Sequence, residues 1–171
     1  MRRWCVAALA GSLSLVAACG GDDFDADVDP LLIGEIEPAV AALVEELGEP
    51  PQYYEIRATS LSVTLWVSAD QGRLALPYVY SDGKLGAPDA AQAVDPGGFT
   101  FDAADALTFD ADNVLDQVER ELEDTSITEF FILGGADAAV RLGAIGQSAR
   151  GGRLDVGLAP DGQVLEVAPI D

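Results

Sequence analysis

From Leu61 to Ser68 the chain reads LSVTLWVS, and this strict alternation admits few folds. Leu61, Val63, Leu65 and Val67 fall on one side of an extended chain, and Ser62, Thr64, Trp66 and Ser68 on the other, because side chains of a strand point to alternate faces. A strand that is apolar on one side only belongs to an antiparallel sheet with one buried face. The rest of the sequence must supply its neighbours and something to cover the apolar side.

The neighbours are at hand. Tyr53 to Thr59 and Arg73 to Tyr80 are strand-like, with turns at Asp70 to Gly72 and Ser81 to Gly83. Upstream, Val40, Leu43, Val44 and Leu47 recur at i, i+3, i+4 and i+7, one apolar helical face, with Pro38 near its start and Gly48 and Pro50 at its end. A longer helix from Asp29, kinked at Pro38, fits the same pattern. Lys84 to Leu107 is rich in Gly, Pro, Ala and Asp and reads as a connecting loop with an edge strand near Phe99 to Phe101.

The order then recurs. Val114, Leu115, Val118 and Leu122 form a second helical face, with Asp110 or Asp112 as its cap. Strands are expected at Ile127 to Leu133, Ala138 to Ile145, Gly152 to Leu158 and Val164 to Val167, the last two joined by an Asp-Gly turn. Leu47 to Asp82 and Leu122 to Asp161 are nearly equal in length, and SDGKL and PDGQVL fall at corresponding places. The expected fold class is α+β: two helix-then-antiparallel-strand units of αβββ type, forming antiparallel sheet covered by helices on one face.

A unit whose final hairpin reads Asp161-Gly162-Gln163-Val164-Leu165-Glu166-Val167 resembles the PepSY-like modules of exported bacterial proteins. Paired helix-then-sheet units resemble the architecture of β-lactamase-inhibitor proteins. Both resemblances imply binding to other proteins and carry over no functional residue.

The N-terminus sets the location. Arg2 and Arg3 precede an apolar run from Val6 to Ala18 that ends in Ala17-Ala18, the layout of a secretory signal peptide. The run is short of the ~20 residues a membrane helix needs. Val16-Ala17-Ala18-Cys19 resembles the lipobox of bacterial lipoprotein signal peptides. That resemblance implies cleavage between Ala18 and Cys19, with diacylglycerol on the Cys19 sulfur and usually a further acyl chain on the new amino terminus. Each buried methylene adds about 0.8 kcal/mol, so several chains hold where one does not. Cys5 lies in the discarded segment, so the mature chain has no internal disulfide to form and relies on its core. The boundaries expected are a signal peptide over 1–18, a lipidated acidic tether over 19–34, a first unit over 35–83, a connecting loop over 84–108 and a second unit over 109–171.

Charge and composition narrow the function. The net charge of −21 repels nucleic acid and anionic headgroups, so membrane attachment falls to the lipid. Histidine is absent, which removes the usual base of serine and cysteine triads and the commonest zinc ligand. Asp23, Asp25, Asp27 and Asp29 alternate like a calcium loop, but counting from Asp25 the positions that need Gly and Glu hold Pro30 and Ile36. Ser81 and Lys84 have the S-x-x-K spacing of penicillin-binding enzymes, yet Asp82-Gly83 between them favours a hairpin turn over a helix start. Gly134-Gly135 and Gly151-Gly152 lack the spacing and lysine of phosphate loops. No cofactor or metal is expected.

Trp66 stands on the face opposite the aliphatic stripe of its strand, and Tyr53 and Tyr54 lie on the neighbouring run. An aromatic on an open sheet face is a common binding hot spot, unless a loop such as Lys84 to Leu107 folds over it. The sequence therefore reads as a lipid-anchored, extracytoplasmic, non-enzymatic protein of the bacterial cell envelope. Trp66, Tyr53 and Tyr54 are its candidate residues for binding an envelope protein partner. Two alternatives stand beside it: an amphiphile carrier with an apolar cavity between sheet and helices, and a hydrolase with two facing carboxylates in a cleft.

Overall fold

The computed structural model describes residues 29–94, 98–136 and 139–170. The expected signal peptide, its expected cleavage point at Ala18 and the expected lipidation site Cys19 lie outside the described residues, as does most of the expected tether. Among the described residues, no helix is long and apolar enough to cross a membrane.

The protein is mixed α+β and is organised around one antiparallel sheet. A short 3-10 turn, Ile33–Glu35, leads into α1 (Ile36–Leu47), followed by β1 (Tyr53–Ala58), β2 (Val63–Ala69) and β3 (Leu74–Ser81). Two short strands, β4 (Lys84–Leu85) and β5 (Gln92–Ala93), and a short helix, α2 (Ala103–Ala106), occupy the connecting region. Then come α3 (Ala111–Glu121), β6 (Thr125–Gly134), β7 (Val140–Ser148), β8 (Arg153–Leu158) and β9 (Val164–Ile170). The spatial order is β4-β3-β2-β1-β6-β7-β8-β9, with β5 also paired to β3. Two meanders thus run outward from the β1–β6 seam, where Ile56 faces Ile132 and Arg57 faces Phe131.

The helices follow from their ends and stripes. In α1, Pro38 falls in the first turn, where its missing N–H has no partner to lose. Gly48 closes the helix in the left-handed region at φ 77°, its N–H donating to the Val44 carbonyl at 2.9 Å. The buried stripe is Ile36, Ala39, Val40 and Leu43, one turn earlier than the periodicity alone suggests, and Leu47 is exposed. In α3 the Asp110 carboxylate accepts from the Asp112 N–H at 3.1 Å, and Val114 and Val118 are fully buried.

Along the strands, alternation decides the faces. Tyr78, Leu65, Ile56, Ile132, Leu142 and Leu158 form one cross-strand row. Tyr80, Val63, Ala58, Phe130, Ala144 and Val156 form the next. All twelve are buried and share one continuous core with the stripes of α1 and α3.

Two expectations need correction. Leu61 is not on the core face; it is 78% exposed, because the β1–β2 turn claims it. There the Thr59 hydroxyl accepts from the N–H groups of Leu61 and Ser62, both at 3.2 Å, and β2 starts only at Val63. The region over 84–108 is more than a loop: β4 and β5 pair with the two ends of β3 and flank Pro77. Pro77 lacks an N–H to donate and so suits that outer edge.

Candidate functional site

The candidate residue Trp66 lies on the sheet face opposite the core. The first row of that face runs Pro77, Trp66, Glu55, Leu133 and Arg141 from β3 to β7. The next runs Val79, Thr64, Arg57, Phe131, Gly143 and Gly157.

A bulge in β1 shapes the site. Tyr53 pairs with Val67 and Glu55 with Trp66, which leaves Tyr54 as the extra residue. A bulge of this kind puts two residues of one strand opposite one of the other and re-aims a side chain. Tyr54 and Glu55 accordingly both line a surface groove with Trp66, which is half-buried. The Tyr54 hydroxyl donates to the Gly72 carbonyl at 2.7 Å and so fixes its ring.

The far wall comes from the connecting region. Phe101 bridges to Tyr53 through two backbone hydrogen bonds of 2.9 and 3.0 Å, taking the rung beyond the end of the β1–β6 pairing at Glu55 and Leu133. This lays the Phe99 carbonyl against Gly134, closer than any side-chain carbon would allow. Phe99, 48% exposed, is thereby held at the groove beside Leu133, while β5 contributes Gln92 and Ala93. The groove encloses ≈ 480 Å³. Among the described residues, the connecting region supplies Gln92, Ala93, Val94, Gly98 and Phe99 to the walls of this groove.

The rest of this face carries ion pairs of its own. Glu55 accepts from Arg57 Nε at 2.6 Å, and Arg57 also meets Glu129 at 2.9 Å, which in turn meets Arg153 at 3.1 Å. Arg141 pairs with Asp155 at 2.7 Å and sits 5.2 Å from the centre of the Phe131 ring. Phe131 is 4% exposed although it lies on this face, because its ring spreads over Gly143, where a Cβ would collide with it.

The three aromatic candidates separate. Trp66 and Tyr54 meet at the groove. Tyr53 does not: it is 0% exposed on the core side, stacked on Phe101 with ring centres 5.9 Å apart. Burial pushes its phenol pKa up to about 12, and its hydroxyl has no hydrogen-bond partner among the described residues. Glu55, Gln92 and Phe99 were not singled out by the sequence. The local signal for Glu55 is alternation with the core residues Ile56 and Ala58; the bulge adds Tyr54 beside it, and Gln92 and Phe99 arrive through long-range pairing. As for carboxylate chemistry, Glu55 and Glu129 share the Arg57 guanidinium between them, and among the described residues no three Asp, Glu or Cys side chains are grouped to hold a metal.

No protein-family model, curated protein or solved structure matches the chain.

Proposed function

We propose that the chain is a lipid-anchored, extracytoplasmic protein of the bacterial cell envelope that performs no catalysis and holds another envelope protein on the sheet face around Trp66. The observation that carries this reading is the grouping of Trp66, Tyr54 and Phe99 in one groove outside the core. Half-buried aromatics held in place offer large contact area at small entropic cost, which is why binding energy concentrates on them. The carrier alternative has less behind it, since the buried residues of α1 and α3 share one packed core with the strands, and the hollows beside α3, of ≈ 480 and ≈ 270 Å³, carry Asp29, Asp116, Glu119 and Glu123 in one and Glu37 and Asp110 in the other.

The same reading takes the fold as two copies of a helix-then-strand unit, with both helices over the core face. A shift of 75 residues carries Ile36, Ala39, Val40, Leu43 and Leu47 onto Ala111, Val114, Leu115, Val118 and Leu122. A shift of 74 carries the β1 bulge at Tyr54 and Glu55 onto the β6 bulge at Thr128 and Glu129. The strand order reads alike from both ends, so β4 and β9 correspond. PepSY-like and β-lactamase-inhibitor-like modules remain the kinds of architecture this arrangement resembles.

Attachment rests on Cys19. Cys19→Ser should release the protein from membranes or leave the precursor uncleaved, as followed by fractionation and mass spectrometry. For binding, intact lipidated protein is captured from its own membranes beside a Trp66→Ala variant. Loss of one specific partner with the variant supports the reading; identical partner sets contradict it.

A further inference from the structure

We propose, resting on the Trp66 face as a protein-binding surface, that the groove takes a cationic side chain, an arginine or lysine on an extended segment of the partner. Three observations lead there. First, the groove offers π-faces from Trp66, Tyr54 and Phe99, and its polar groups include the Glu55 carboxylate, the Tyr54 phenol oxygen and the Gln92 amide. Among the described residues that line it, none is basic. A guest rich in N–H donors satisfies such acceptors, and a positive charge gains from the aromatic faces.

Second, the same sheet face already contains this recognition in finished form. Arg141 lies 5.2 Å from the Phe131 ring centre and pairs with Asp155 at 2.7 Å, an arginine between an aromatic ring and a carboxylate. In the row that ends at Arg141, Trp66 and Glu55 are direct cross-strand partners and present the same aromatic and carboxylate pair. The Glu55 side chain is 20% exposed and gives one oxygen to Arg57 at 2.6 Å; a carboxylate has a second oxygen for another donor.

Third, the charge of the whole chain favours this sign of guest. At −21 it draws basic segments and repels acidic ones.

The test uses the mature chain from Cys19, in which Trp66 is the sole indole, so that its fluorescence reports the groove. The probes are the capped peptide Ala-Ala-Arg-Ala-Ala and its citrulline counterpart, equal in shape but uncharged. The arginine peptide should shift the emission saturably and bind at least about tenfold more tightly than the citrulline peptide. Glu55→Gln should weaken the arginine peptide by about tenfold. Arg57→Gln, which removes the internal competitor for Glu55, should strengthen it. An ion pair that is merely structural moves both variants the same way. Near-UV circular dichroism checks that each variant is folded, and the comparison of the two peptides needs no groove variant at all. Equal binding of the two peptides, or parallel weakening by both variants, overturns the proposal. If neither peptide binds while partner capture still depends on Trp66, the cationic guest is wrong and the binding face stands; if capture ignores Trp66, the face itself is wrong.

Discussion

Glu55 and Trp66 lie directly opposite each other on β1 and β2, on the sheet face that turns away from the core. Leu65, one residue earlier in β2, points the other way and is fully buried against Ile56 and Tyr78. The two neighbours should therefore respond differently to truncation. Leu65→Ala is expected to cost ~2–5 kcal/mol. Trp66→Ala, losing a half-buried ring, is expected to cost ~1–2 kcal/mol. Urea unfolding checks this, with the Leu65 variant showing the lower midpoint at unchanged slope. The reverse order would place Trp66 in the core.

Tyr53 gives a pH signature. Its folded pKa of about 12 stands above the ordinary 10.0, so the buried phenol is neutral in both states below pH 10 and contributes no pH dependence there. Above pH 10 the unfolded chain ionises first, and stability falls by up to ~1.4 kcal/mol per pH unit until the folded pKa is reached. Tyr53→Phe should flatten the tyrosine part of that decline between pH 10 and 12. At pH 7 it should be neutral or slightly stabilising, because it removes a buried hydroxyl that lacks a partner among the described residues. Destabilisation of more than ~1 kcal/mol at pH 7 would mean that the hydroxyl is hydrogen-bonded.

Gly134 sets the far wall of the groove. A methyl group there collides with the Phe99 carbonyl, which is backbone and cannot rotate away. Gly134→Ala should detach the stretch around Phe99 and lower stability by ~1–3 kcal/mol. Amide hydrogen exchange should show lost protection at Phe101, whose N–H donates to the Tyr53 carbonyl. Retained protection at Phe101 would contradict this packing.

Gly143 plays the matching part under Phe131. A Cβ at this position meets the far end of the ring and lies 2.9 Å from the Val156 carbonyl. Gly143→Ala should tilt the ring off the sheet, separate it from Arg141 and cost ~1–3 kcal/mol. The checks are the urea midpoint and the NMR ring-current shift on Arg141, which should shrink. An unchanged shift would show that the ring had stayed in place.

Much of this fold is written in local patterns. The alternation of Val63, Leu65 and Val67, the helical stripes and the Asp-Gly turns act over a few residues, so each is visible in the chain itself. Trp66 is legible as an off-core aromatic for the same reason. Tyr53 is not, because the bulge at Tyr54 resets the faces of β1, and a single extra residue reverses every inference drawn from alternation. Phe131 also misleads: its position on the polar face suggests exposure, yet Gly143, its partner on the neighbouring strand, leaves the space in which the ring lies. Phe99 reaches the groove through a bridge between residues 53 and 101, a long-range pairing that no local pattern encodes.

The most direct measurement of the Trp66 face is site-specific photo-crosslinking in intact membranes. A photoreactive residue replaces Ser68, which stands on the same face of β2, and in a second protein it replaces Glu37 on α1 as a control. The expected result is one covalent adduct to an envelope protein from position 68, none from position 37, and loss of the adduct when Trp66→Ala is added. Identical adducts from both positions, or an adduct from position 68 that survives Trp66→Ala, would contradict the assignment of this face as the binding surface.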